Sequence, residues 1–282
     1  KKAHGSFQVT LKSPTSITQG YTAVLGKLYD GPTPSALAWK EASESGGCKL
    51  LKPDAPFCET PCGSGALCVE NGKCQDFPKS VTAGRVEVKG IKTKAGAAAF
   101  AMDPLLNSYQ PAAGTVLEFP PFAEGEAVTF SAAGDSAVDA FTLTAAGISP
   151  LAILNDTIVL EDGKPIALRW TAPANPAGSS VSVLVDISHH GGTKGKIECD
   201  VPDNGSLDIP AAMVDELKAL GVAGFPKLEA SRKAAAIQAG GNVKLVLESM
   251  VVMDLSIPGL ISCSGNEDCP SGQTCQDDLQ CK

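Results

Sequence analysis

The placement of cysteine constrains this chain more than any other feature. Nine of its ten cysteines lie in two short segments. The first holds Cys48, Cys58, Cys62, Cys68 and Cys74, the second holds Cys263, Cys269, Cys275 and Cys281, and Cys199 stands alone between them. Residues 58–74 read C-x3-C-x5-C-x5-C and residues 263–281 read C-x5-C-x5-C-x5-C. Each run has a glycine three residues before its third cysteine, Gly65 and Gly272. One small four-cysteine module is used twice.

A module of that size cannot bury a core, so two bridges must do the work of one. Zinc is the competing reading. Structural zinc sites collect their ligands through short C-x(2–4)-C pairs, and only Cys58 and Cys62 offer one. Disulfides are expected, with no metal and no cofactor. Four cysteines allow three pairings, and spacing does not choose among them. A 1–3, 2–4 pattern is the working expectation. If each module closes on itself, Cys48 and Cys199 remain for each other. Their bridge would close a loop of about 150 residues, worth roughly 5 kcal/mol in the chain-entropy model.

So many bridges place maturation in an oxidising compartment. The expected location is extracellular or at the cell surface, with the periplasm as the alternative. Lys1-Lys2-Ala3-His4 is not followed by an apolar leader core, so numbering is expected to begin after signal-peptide removal. No run approaches the 18 or so uncharged apolar residues of a membrane span.

Between the cysteine segments the chain reads as short strands. Phe7–Leu11, Tyr21–Tyr29, Val86–Lys89, Val116–Phe119, Val128–Phe130, Phe141–Thr144, Ile166–Thr171, Val181–Ile187 and Lys196–Asp200 are short apolar-rich runs, most of them alternating. Gly, Pro, Asn or Asp bound them, the pattern of antiparallel sandwiches. A longer pair, 227–238 and 242–257, is joined at Gly240-Gly241. One helix is expected near 210–220, capped by Asp208 and ended at Gly221, with Met213, Val214, Leu217 and Leu220 on its apolar face. Trp170 is read as a core anchor.

The fold class is therefore mainly β: two sandwich-like antiparallel β domains, one short helix and two disulfide-stapled modules. The expected domains are 1–137 with a cysteine-rich insert at 46–78, 138–258, and a tail module at 259–282.

Three stretches, LEFPPFAEGEAVTFSAAG (117–134), PIALRWT (165–171) and IECDVPDNGSLDIPAAMVDEL (197–217), carry a resemblance. They are similar to secreted proteins and lipoproteins of myxobacterial-type envelopes, which often carry small four-cysteine inserts. The resemblance implies an extracytoplasmic β-sandwich and no activity.

Chemistry is sparse. Gly134-Asp135-Ser136-Ala137-Val138 lacks the last glycine of a nucleophile elbow. Gly191–Lys196 lacks the first glycine and the hydroxyl of a phosphate loop, and reads as a hairpin turn. Asp200-x-x-Asp203-Asn204-Gly205 lacks the third and twelfth ligands of an EF-hand. His189, His190, Asp200 and Asp203 remain as weak ligand candidates, and Trp39 and Tyr109 as exposed stacking candidates. No catalytic residue is assigned.

Net charge is −8, against nucleic-acid binding. Charge is uneven: residues 1–100 carry 13 basic and 8 acidic side chains, and residues 101–282 carry 10 and 23. The favoured function is a non-catalytic structural or adhesive protein acting by self-assembly or cell-surface attachment, with itself or a surface component as partner. An edge strand such as Phe7–Leu11 would serve self-assembly by strand addition. The alternatives are a glycan- or peptide-binding module using the loops around 188–192, and a hydrolase of unrecognised type.

Overall fold

A computed structural model gives the fold and describes residues 3–14, 17–105, 108–239 and 241–282. The strands run in chain order as β1 (His4–Lys12), β2 (Tyr21–Tyr29), β3 (Ala38–Ser45), β4 (Cys48–Asp54), β5 (Ala66–Glu70) and β6 (Lys73–Asp76). Then follow β7 (Ser80–Val81), β8 (Val86–Lys89), β9 (Ala99–Met102), β10 (Ala127–Ala132), β11 (Phe141–Ala146) and β12 (Ile158–Val159). The last are β13 (Ile166–Arg169), β14 (Ser180–Asp186), β15 (Lys196–Pro202), β16 (Ser206–Ile209), β17 (Lys227–Ile237) and β18 (Asn242–Ser256). The α-helix α1 is Ala211–Lys218.

One ten-stranded sheet organises the molecule. Its order is β3-β4-β15-β14-β17-β18-β1-β2-β7, with β12 added to the end of β18. Alternation explains how each strand sits. In β1, Phe7, Val9 and Leu11 are buried, while Ser6, Gln8 and Thr10 face the other way. The inner face of this sheet covers two cores. One lies under β1, β2 and the first half of β18 and is closed by the sheet β11-β10-β8-β9. The other lies under β4, β15, β14 and the second half of β18 and is closed by the pair β13-β16 with α1.

β18 is 15 residues long and serves both cores. Val243, Leu245 and Leu247 enter the first, and Val251, Met253 and Leu255 the second. The mainly β class with stapled modules is as expected, but the division of the chain is different. The boundary expected at 137/138 falls in the turn of the β10–β11 hairpin, inside the first core. Both cores share one sheet because β1 and β2, from the start of the chain, pair beside β18 from its end.

Other expectations are corrected. β1 is no edge: it pairs along its length with β18 on one side, in parallel, and β2 on the other. Strand addition at Phe7–Leu11 is therefore blocked. Val116–Phe119 forms no strand; its one ladder contact is the bridge Thr93↔Leu117. The insert is shorter than 46–78, because β4 belongs to the main sheet through β15. Asp208 does not cap the helix. It lies in β16 and pairs with Arg169 at 2.7 Å, and Pro210 takes the N-cap position with no side-chain cap. Gly240, expected in the last hairpin turn, and Lys1 and Lys2 of the expected mature start lie outside the described residues.

All ten cysteines are bridged. Cys58–Cys68, Cys62–Cys74, Cys263–Cys275 and Cys269–Cys281 follow the 1–3, 2–4 pattern in both modules. Cys48–Cys199 joins directly opposed residues of β4 and β15 within the second core. Two clusters, Cys58, Cys62, Cys74 and Cys263, Cys269, Cys281, bring three sulfurs together, but bridging consumes every one of them. Five bridges mark a chain matured outside the reducing cytoplasm. Among the described residues no helix is long and apolar enough to cross a membrane.

The tail module is docked rather than trailing. The Gly224 N–H donates to the Asp278 carbonyl at 2.7 Å, and Gln280 Nε2, buried, donates to the Gly224 carbonyl at 2.7 Å. Gly224 has a φ of +60°, and a Cβ there would lie 2.0 Å from the His189 carbonyl oxygen. Only glycine fits this junction.

Candidate functional site: the open face of the large sheet

Among the described residues, no strand or helix covers the outer face of the ten-stranded sheet. Strand alternation gives it mostly polar side chains, with Leu184, Met250 and Val252 among them, and register aligns them across strands. Asp200, Ser182, Ser231 and Met250 form one row, from β15 through β14 and β17 to β18. Glu198, Leu184, Glu229 and Val252 form the next, and Lys196, Asp186, Lys227 and Asp254 the one beyond. A groove of about 310 Å³ runs among Ser182, Glu198, Asp200, Glu229, Ser231 and Lys233.

Its charges are paired. Ser182 Oγ donates to Asp200 Oδ1 at 2.5 Å. Lys196 and Lys227 bind Glu198 and Glu229, each at 2.5 Å. Gln8 Nε2 donates to Glu248 Oε2 at 2.5 Å, and Lys233 lies 3.4 Å from the other oxygen of Glu248. On the same face but outside the groove, Lys196 Nζ sits 3.9 Å from the centre of the Trp39 ring, a cation–π contact. Trp39 is thus half-buried on this face, at the outermost strand. The other stacking candidate, Tyr109, is buried: its hydroxyl accepts from the Ala83 N–H at 2.8 Å and donates to the Gly84 carbonyl at 3.0 Å.

His189 and His190 stand at the end of the same face, in the loop after β14, with ring centres 3.9 Å apart. Burial pushes the His189 pKa down, and Lys227 and His190 add to that against Asp186 and Glu229. A depressed pKa keeps the ring neutral near pH 7. Asp186 lies 3.9 Å from His189 Nδ1 and also accepts from the Ser188 N–H at 2.8 Å. Ser188 Oγ turns to Asp186 and to the Lys194 N–H rather than to a histidine.

Asp203 is elsewhere, although only three residues from Asp200. It is fully buried on the inner side, with Arg232 Nε at 2.5 Å, Trp170 Nε1 at 2.7 Å and Ser179 Oγ at 2.6 Å. Burial would raise its pKa, but these bonds and the guanidinium charge outweigh that and hold it below the usual carboxylate range. The structure therefore brings Asp200 and the histidines to one face and removes Asp203 from it. Sequence reading missed Ser231, Lys233, Glu229 and Glu248. Their alternation with Leu228, Ala230, Ala234 and Leu247 was the available signal.

No protein-family model matches this chain, and no curated protein matches it.

Proposed function

We propose that this is an extracellular adhesive protein that holds a polar polymer, a glycan, on the open face of its large sheet. The carrying observation is the groove of about 310 Å³ on this face, where Ser182, Glu198, Asp200, Glu229, Ser231 and Lys233 stand around Leu184 and Met250. Sugar hydroxyls are both donors and acceptors, and this face offers both kinds at strand spacing: the Ser182 hydroxyl, the carboxylates of Glu198, Asp200 and Glu229, and the Lys233 ammonium, over a floor that includes the buried Ser231. Leu184 and Met250 supply an apolar patch for a sugar ring. Attachment to a cell surface is the role that follows, and a myxobacterial-type envelope is the setting that the sequence resemblance implies.

The uneven charge along the chain gives little support to head-to-tail assembly. Two early cations are paired locally: Arg85 with Glu87 and Asp103, and Lys92 with Glu126.

A glycan array and pull-down on insoluble cell-wall polysaccharides test the reading. Binding should be saturable, and Asp200→Ala or Ser231→Arg should abolish it. Absence of binding, or binding indifferent to both substitutions, sinks the proposal.

A further inference from the structure

The two ends of the large sheet are finished differently. At one end β3 exposes an outer edge that carries Lys40, Glu41 and Glu44 and a bulge between Glu41 and Ser43. Charges and bulges are how proteins prevent another strand from pairing with an edge. At the other end β7 covers only Leu28 and Tyr29 of β2.

The rest of that edge is open for a definable reason. Gly26 exchanges both backbone hydrogen bonds with Tyr109, each 2.8 Å. Hydrogen-bonding direction repeats every second residue. Val24 and Thr22 therefore also aim their N–H and C=O away from β1. The next residue able to pair, two beyond Tyr109, is Pro111, which has no N–H. Among the described residues nothing pairs with the outward backbone groups of Thr22 and Val24.

A slot of about 380 Å³ lies beside these residues. Its far wall is Val116, Leu117 and Phe119, held close by the Thr22 hydroxyl, which donates to the Glu118 carbonyl at 2.7 Å. Tyr21 and Leu25 are 55% and 48% exposed on the strand itself, with no charged residue between them, so this edge lacks the protection given to β3. Lys94 is the one charged side chain lining the slot, and it has no ion-pair partner among the described residues.

We propose that this slot receives an extended peptide of a partner polypeptide, added as a strand to β2. The unpaired backbone groups demand another backbone, and the apolar wall demands apolar side chains at alternate positions. Lys94 calls for a carboxylate, from a side chain or a chain terminus, at one end. This site is separate from the glycan face and stands or falls without it.

The test uses the full chain and an acetylated heptapeptide, Val-Thr-Val-Thr-Val-Thr-Glu. Hydrogen exchange followed residue by residue should show the Thr22 and Val24 amides exchanging fast in the free protein and slowing with peptide. Methylating alternate peptide nitrogens should weaken binding about tenfold, as should Val24→Pro, which removes one outward N–H at a position an edge strand tolerates. Lys94→Glu, on the surface, should weaken it while leaving the fold intact. If Val24→Pro fails to fold, the methylated peptide and Lys94→Glu decide the matter. The proposal is overturned by any of three results: amides already protected in the free protein, no protection at millimolar peptide, or binding indifferent to methylation. A dimer by light scattering that protects the same two amides would also overturn it, since a second copy would then be the occupant.

Discussion

Arg232→Ala is the perturbation with the largest consequence worked from this structure. Arg232 enters the inner side of the large sheet between Ala230, in one core, and Ala234, in the other. Its side chain is 1% exposed and that of Asp203 is 0% exposed. Every guanidinium nitrogen is used. Nε and Nη2 clasp Asp203 at 2.5 and 3.0 Å, Nη2 also reaches the Thr171 carbonyl at 2.7 Å, and Nη1 reaches Ser149 Oγ at 3.0 Å and the Pro150 carbonyl at 3.2 Å. Ser249 Oγ, directly across on β18, accepts from the Leu151 N–H at 2.9 Å. A polar seam thus separates the two cores, and Arg232 ties the two layers at that seam.

Removing the guanidinium strands a buried carboxylate and four carbonyl or hydroxyl acceptors, on Ser149, Pro150 and Thr171. Truncating one member of such a pair costs about 3–5 kcal/mol. At roughly 2–4 °C per kcal/mol for a chain of this size, the melting temperature should fall by about 6–20 °C. Calorimetry at pH 7 reads the shift directly. The pH dependence gives a second check. Asp203 has a folded pKa below its unfolded value of about 3.9. Its stabilisation is therefore present above about pH 4 and is lost as pH falls through the folded value. In Arg232→Ala the guanidinium's hydrogen bonds and charge are gone while burial and the Ser179 and Trp170 bonds remain, so the Asp203 pKa rises from its value in the parent and the gap between the two proteins should narrow in acid. A loss under 1 kcal/mol at pH 7, or a gap that does not change between pH 7 and pH 3, refutes the reasoning.

Three further outcomes follow from other parts of the molecule. Replacing Cys48 and Cys199 together by Ala opens a loop of 151 residues and should cost about 5 kcal/mol by urea denaturation; a loss below 1 kcal/mol would contradict the loop-entropy argument. Gly224→Val should undock the tail module, seen as faster exchange of the Asp278–Cys281 amides with the sheet unchanged; protected tail amides would contradict the docking argument. His189 should titrate below 6.5 by nuclear magnetic resonance, and Lys227→Ala should move it upward; a titration above 6.5 would mean that Asp186 outweighs burial and Lys227.

Much of the fold was legible because burial imposes a period of two. β2 was bounded in sequence at Tyr21–Tyr29, and β8, β14 and β15 were found within a residue or two, since each alternates cleanly against a core. Parity of the cysteines left Cys48 for Cys199, and the register Cys199↔Cys48 meets that demand. What periodicity cannot carry is strand order. Phe7, Val9 and Leu11 alternate in the same way whether β1 lies at an edge or between two partners. The parallel pairing with β18 joins residues 238 positions apart, and no local signal announces it.

The same limit explains the candidate sites. Asp200 and Asp203 lie close enough in sequence to suggest a shared ligand, but three steps along an extended chain reverse the side. Asp200 stays on the outer face with Ser182, and Asp203 turns inward to Arg232. The open face was written in sequence as polar residues alternating with core residues in β14, β15, β17 and β18, yet it becomes one surface only when those strands are placed side by side. The edge at β2 is more telling. Nothing in Tyr21–Leu25 distinguishes a paired strand from an open one. The distinguishing residue is Pro111, almost ninety positions later, whose missing N–H ends the pairing that Tyr109 begins with Gly26. An edge is a property of what fails to arrive beside a strand, and here a proline in another segment determines where that failure occurs.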